Sequence, residues 1–234
     1  MQYALHSRNE QYLSKMSDHR HRFLQLALAA DALRFGQFTL KSGRLSPYFF
    51  NAGRFDSGSR LAQLGLCYAD AVAAAGIRYD VVFGPAYKGI PLATAMACEL
   101  AQRGQDLPLS FNRKEVKDHG EGGQLIGADM TGKRVLIVDD VITAGTAIRE
   151  AMAIIRAAGG IPAGIAVALD RQEIASDTDP RSAAQAVAEE AGIPVVAVAT
   201  MADLLDFASG NPELVGYRQP LADYRSRYGS RPTH

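Results

Sequence analysis

The stretch 135–150, VLIVDDVITAGTAIRE, decides how this chain is built. It opens on a short apolar run, meets the adjacent carboxylates Asp139 and Asp140, passes through a small loop containing Gly145, and ends in a helical pattern. An apolar strand with no polar alternation belongs to a parallel sheet covered on both faces. The glycine turn then delivers the backbone N–H groups of residues 143–146 to a helix start, where the helix dipole favours an anion and the Thr143 and Thr146 hydroxyls add donors. A 5'-phosphate is the natural occupant. Two carboxylates at the strand mouth cannot stabilise that anion, but they accept hydrogen bonds from vicinal hydroxyls or hold water on Mg²⁺. The combination reads as a phosphorylated ribose. An acid pair alone fits equally a Walker-B-like strand end or a capped helix start. No GxxxxGK[ST] occurs in the chain, so a P-loop lacks its phosphate lysine.

Outward from this stretch the pattern repeats. Upstream the periodicities predict helix 59–75, strand 81–83, helix 89–103, strand 109–111 and a loop over 113–130; strand 135–138 follows. Downstream they predict helix 145–158, strand 165–169, a polar connection over 174–182, helix 182–191, strand 195–199 and helices over 201–208 and 212–227. Strands alternating with helices define an α/β doubly wound domain, whose ligands sit beyond the C-terminal ends of the strands. Ahead of it, Phe23, Leu26, Ala27, Ala30 and Leu33 predict a helix from about Asp18 that stops at Gly36, and FTLKSGRLSPYFFNAGRF (38–55) predicts short strands and a turn. Residues 1–18 are polar and unpatterned and read as a poorly ordered extension, leaving 19–234 as the folded domain.

The chain has 234 residues, enough for a sizeable core without staples. Lys plus Arg and Asp plus Glu are each 25, so no global charge draws it to nucleic acid or an anionic membrane. A hydrophobic share of 47% against 21% charged excludes a disordered chain. The two cysteines, Cys67 and Cys98, sit among apolar neighbours and are expected as reduced core residues. No apolar run reaches the roughly 18 residues of a membrane span, and the N-terminus lacks a signal-peptide apolar stretch, so a cytoplasmic location is expected.

Three further strand ends carry chemistry. In VVFGPAYKGIPLA (81–93), Gly84 allows a backbone to approach a ligand and Lys88 supplies a point charge suited to pyrophosphate; a Gly-Pro turn with a solvated lysine is the bland alternative. In FNRKEVKDHGEGG (111–123), Arg113, Lys114, Lys117 and His119 precede three glycines, as in a lid closing over an anionic substrate or a merely solvated charged loop. In LDRQE (169–173), Arg171 offers a planar fork to a carboxylate, although a surface ion pair is the commoner fate of an arginine.

Together these motifs resemble the type I phosphoribosyltransferases, VLIVDDVITAGTA being similar to that family's phosphoribosyl pyrophosphate (PRPP) signature. The set FTLKSGRLSPYFFNAG, FGPAYKGIPLA, FNRKEVKDHGEGG and LDRQE is similar throughout to the bacterial orotate-using branch, from about Arg22 to the C-terminal helix. The resemblance implies a mainly parallel sheet flanked by helices, a small hood from about 19–58 plus a C-terminal part, and a mobile catalytic loop. It implies transfer of the phosphoribosyl group from PRPP to orotate, with Mg²⁺, in pyrimidine nucleotide synthesis. By the family pattern Asp139 and Asp140 hold the ribose hydroxyls, and Val141, Ile142, Thr143, Ala144, Gly145, Thr146 and Ala147 wrap the 5'-phosphate. Lys41, Tyr87 and Lys88 contact PRPP; Phe49, Phe50, Thr143 and Arg171 meet orotate. The lid cations Arg113, Lys114, Lys117 and His119 take up charge on the departing pyrophosphate. The same resemblance implies a homodimer with shared active sites. A purine enzyme of this fold would not need Arg171, and a non-catalytic PRPP-sensing regulator would carry an added nucleic-acid-binding segment, which the sequence lacks.

Overall fold

The computed structural model describes residues 18–40, 42–117, 123–176 and 178–230. Most of the expected N-terminal extension, Lys41 and His119 therefore lie outside the described residues. The apolar runs form a six-stranded sheet from β3 (Val81–Gly84), β4 (Leu109–Lys117), β5 (Gly123–Gly127), β6 (Arg134–Asp139), β7 (Ile161–Asp170) and β10 (Val195–Thr200). Its order is β10-β7-β6-β3-β4-β5, parallel except for β5. From β3 the chain crosses to β4 on one side and then returns to place β6 on the other. The C-terminal ends of β3 and β6 thus flank a topological switch point, where the crevice of an open α/β sheet lies.

Side chains of these strands alternate between two cores. Val82, Leu136, Val138, Ala166 and Ala168 face the larger one, built with α1 (His19–Ala29), α2 (Gly58–Ala74), α3 (Gly89–Gln102) and α6 (Met201–Gly210). Val81, Phe83, Val135, Ile137, Ile165 and Val167 face the smaller one, under α4 (Thr146–Ala157) and α5 (Ala183–Ala191). Burial on both faces is why these strands read as continuous apolar runs.

A hairpin, β1 (Leu33–Thr39) with β2 (Leu45–Phe50), forms a separate antiparallel pair. It packs on the C-terminal segment: Phe35 meets Tyr217 at 5.1 Å between centroids, and Tyr48 meets Tyr224 of α7 (Arg218–Tyr228) edge-on at 6.3 Å.

Several expectations need correction. The first helix ends at Ala29, not Gly36. Asp31 enters the left-handed region at φ 54, and the N–H groups of Asp31 and Ala32 close on the carbonyls of Leu28 and Ala27, a Schellman ending. Leu33 keeps its buried role but opens β1. The loop expected over 113–130 is a ribbon: β4 runs to Lys117 and β5 returns antiparallel to it. A two-stranded ribbon beside solvent needs no apolar alternation, so its charges concealed it. Likewise the polar connection contains a small hairpin, β8 (Ile174–Ser176) with β9 (Asp179–Ser182). Cys67 is buried and Cys98 is exposed. The buried face of α3 runs through Leu92, Ala93, Met96 and Leu100, and Cys98, two residues from each of the last two, points about 200° away from them. Among the described residues, no helix is long and apolar enough to cross a membrane.

Candidate active site

The strand β6 delivers Asp139 and Asp140 to the switch point, each 8% exposed. Their geometry is fixed from below. The Tyr68 hydroxyl, on α2, donates to the main-chain carbonyl of Asp139 at 2.7 Å, and the carbonyl of Asp140 accepts from the N–H of Ala168 at 2.9 Å. The Asp139 carboxylate accepts the Asp140 N–H at 2.9 Å, and Asp140 accepts the Val141 N–H at 2.9 Å. Burial first, and then the charge of Asp140, pushes the Asp139 carboxyl up to about 6, against the pull of the Asp140 N–H and Lys88.

The following loop turns into α4 at Gly145, whose φ of 75 is left-handed and whose absent side chain would meet a Val187 methyl at 2.7 Å. Only glycine fits this corner without strain. The helix start has no side-chain cap, while Thr143, Ala144, Thr146 and Ala147 are exposed and Val141 and Ile142 half-buried. Unpartnered first-turn N–H groups beside exposed hydroxyls make an anion cradle. Arg149 braces it by donating to the Ala144 carbonyl at 2.8 Å.

Across the switch point lies the turn after β3. A side chain at Gly89 would come within 2.4 Å of Pro85 and 2.7 Å of the Val138 carbonyl, so glycine there lets the β3 turn and β6 touch. The Ala86–Tyr87 peptide is cis. Lys88 donates to Asp140 Oδ2 at 2.6 Å, joining the two strand ends. Tyr87 is exposed, with the Lys114 ammonium 5.2 Å over its ring. The charged part of β4 begins here too, since Asn112 Oδ1 accepts the Ala86 N–H at 2.9 Å. Arg113 is half-buried and Lys114 exposed; of Lys117 the described residues include the backbone at the end of β4 but not the side chain.

Arg171 follows β7 in a confined place, its side chain 17% exposed. Its guanidinium lies over the Tyr48 ring at 4.5 Å and is held by Glu173 at 2.6 Å and the Ser46 hydroxyl at 3.3 Å. Phe49 and Phe50 are neighbours on β2 and so point oppositely. Phe50 packs toward Phe23 and Phe55, sharing the face of Ser46 and Tyr48, whereas Phe49 packs on Phe38 beneath Arg34. One ring at most can therefore stack on a base held beside Arg171.

Sequence reasoning missed Tyr68, Asn112, Tyr48 and Glu173. Asn112 and Glu173 sit inside the quoted strand-end motifs, where a polar residue at a buried strand end is a usable signal; nothing local marks Tyr68, 71 residues before the carbonyl it holds.

A carboxylate pair beside an uncapped helix start, at the switch point of a doubly wound sheet, defines a protein that handles a phosphorylated sugar. The phosphoribosyl transferase domain family model matches residues 67–188. An orotate phosphoribosyltransferase of Stenotrophomonas maltophilia strain K279a is 88% identical over 216 residues, 92% of this chain and 99% of the relative. One from Xanthomonas axonopodis pv. citri is 77% identical over 215 residues, again 92% of this chain and 98% of the relative. Among solved structures, orotate phosphoribosyltransferase of Francisella tularensis is 42% identical with a TM-score of 0.81, over 89% of this chain and 99% of that one. The Mycobacterium tuberculosis enzyme in complex with PRPP is 26% identical with a TM-score of 0.58, over 79% of this chain and 98% of that one. The chain belongs to the phosphoribosyltransferase family and, within it, to the orotate phosphoribosyltransferases.

Proposed function

We propose that the protein transfers the 5-phosphoribosyl group of PRPP to orotate, giving orotidine 5'-monophosphate and pyrophosphate in pyrimidine biosynthesis, at the crevice between β3 and β6. The observation that carries this site is the Asp139–Asp140 pair with the α4 cradle on one side and Lys88, paired with Asp140 at 2.6 Å, on the other. Residues 141–147 take the 5'-phosphate on backbone N–H groups and the Thr143 and Thr146 hydroxyls. Asp139 and Asp140 take the ribose hydroxyls, and Lys88, with Tyr87 and Lys41, exchanges Asp140 for the pyrophosphate.

Orotate docks with its carboxylate on Arg171 and its ring beside Phe50, with Thr143 at its edge. Its ring nitrogen is already readily deprotonated, so the demanding step is separation of pyrophosphate from C1 of the ribose through an oxocarbenium-like state. The lid cations Arg113, Lys114, Lys117 and His119 neutralise the leaving group, and closure of the lid excludes water. No covalent nucleophile is required.

The donor set fits Mg²⁺. Two carboxylates at one strand mouth suit a cation that keeps most of its waters and is held chiefly by substrate oxygens. Among the described residues no group of three or more His, Cys, Asp or Glu forms a cage of its own. Asp139 or Asp140 would hold the ion through water, and when bound it supplies charge neutralisation on the pyrophosphate. We assign the protein to the cytoplasm as a homodimer whose lid serves the neighbouring site.

Pyrophosphate release from PRPP and Mg²⁺ with orotate, hypoxanthine, adenine or uracil tests the assignment. Release with orotate alone is expected; release with a purine base in preference to orotate overturns it.

A further inference from the structure

Glu173 stands two residues beyond Arg171, its side chain 14% exposed. A single oxygen, Oε1, accepts from Nε of Arg171 at 2.7 Å and lies in ion-pair contact with its Nη2 at 2.6 Å. Its other oxygen lies 3.6 Å from Arg44 Nη1, and that same nitrogen donates to the Ile174 carbonyl at 3.1 Å. The Tyr224 hydroxyl, from α7, neighbours both Arg171 and Glu173. The backbone at Glu173 is tied down as well, by a bridge to Gly229 and by the Ser230 N–H on the Gln172 carbonyl at 2.7 Å.

Two features of this cluster set its chemistry. The first is charge: the Glu173 carboxylate faces two guanidiniums, with the Asp170 carboxylate nearby, so Glu173 is the acid that reaches both arginines. The second is direction. With Glu173 on the Nε–Nη2 edge, the Ser46 hydroxyl on Nη2 and the guanidinium plane resting on Tyr48, the direction in which the fork faces is fixed. A pinned backbone and a second arginine also keep Glu173 from swinging aside when a carboxylate enters.

We propose that Glu173 is the positioning residue of the orotate site: it aims Arg171 at the substrate carboxylate. Glu173 acts through Arg171 and does not touch substrate. Its carboxylate is a partner of Arg171, not a stand-in that orotate must displace. This rests on the reading that Arg171 receives the orotate carboxylate.

Steady-state kinetics on the full chain test it. Glu173→Ala is expected to raise the KM for orotate roughly tenfold, the scale for losing hydrogen bonds to a charged group, and to leave the KM for PRPP within about twofold. Glu173→Gln keeps an acceptor oxygen in place and is expected to recover most of the loss, its orotate KM lying about two- to threefold above that of the unmutated protein. An orotate KM that falls or stays unchanged in Glu173→Ala, or a loss as large in Glu173→Gln as in Glu173→Ala, overturns the proposal, a fall showing competition. If Glu173→Ala does not fold, the sign in Glu173→Gln decides: a rise for orotate alone supports positioning, while no change or a fall overturns it. Arg171→Ala, measured alongside, separates the two layers. If it spares orotate, the underlying reading of Arg171 fails and the proposal with it; if it damages orotate use while the Glu173 variants do not, only the positioning role fails.

Discussion

Asp139→Asn removes an ionisable group that the fold holds at a cost. Burial, reinforced by the Asp140 charge, raises its carboxyl from 3.8 to about 6. Each unit of displacement is about 1.4 kcal/mol between the protonation states, so the rise amounts to about 3 kcal/mol at most. The folded chain binds this proton more tightly than the unfolded one. Its contribution to stability is therefore fully present below 3.8 and is lost as pH rises through about 6. Asparagine has no charge to desolvate and keeps the oxygen that accepts the Asp140 N–H at 2.9 Å. The variant should match the unmutated protein in acid and exceed it at about pH 8 by up to about 3 kcal/mol, which for a chain of this length is a gain of several degrees in Tm. Activity should be largely lost. Urea unfolding between about pH 5 and pH 8 measures the difference. A variant that is less stable at the alkaline end, or a difference that does not grow with pH, refutes the reasoning.

Arg171→Ala should raise the KM for orotate far more than that for PRPP and narrow the preference for orotate over uracil, as competition assays would show; equal use of uracil and orotate by the unmutated protein contradicts the carboxylate reading. Gly145→Ala, at φ 75 with 2.7 Å to a Val187 methyl, should cost about 1–3 kcal/mol in denaturant unfolding and weaken PRPP binding through the displaced cradle. Lys117→Ala should lower kcat roughly 10²- to 10³-fold with less effect on PRPP affinity. Mixed with an Asp139→Asn, Asp140→Asn chain under conditions where native mass spectrometry verifies subunit exchange, it should regain activity; no regain places each lid on its own subunit.

The apolar strands and the acid pair were legible because burial on both faces and a strand-end motif are local properties. Val135–Val138 cannot sit anywhere but inside, and Asp139 and Asp140 can only follow them. The register of helix α1 was not legible: Leu33 satisfies the helical spacing and is equally buried in a strand, and the decision falls to the left-handed backbone at Asp31. The charged β4–β5 ribbon was hidden because no buried face imposes a period on Arg113, Lys114 and Glu115. The setting of Arg171 was half legible, as its partner Glu173 is two residues away, whereas Ser46, at a separation of 125, and Tyr48 come from the hood hairpin.

Asn112 marks the place where β4 stops being held from both sides. Leu109–Phe111 lie between β3 and β5, while past Asn112 the pairing with β5 is irregular until Lys117 meets Gly123. The strand beyond is a cantilever of five residues, about 16 Å long at about 3.3 Å each, so a tilt of about 20° at its root carries the tip about 5 Å. That root is bolted through the Asn112 amide to the Ala86 N–H, in the turn proposed to face the departing pyrophosphate. On the function proposed above, a push on that turn would be geared up along the beam, so that filling or emptying the leaving-group pocket would steer the far end of β4.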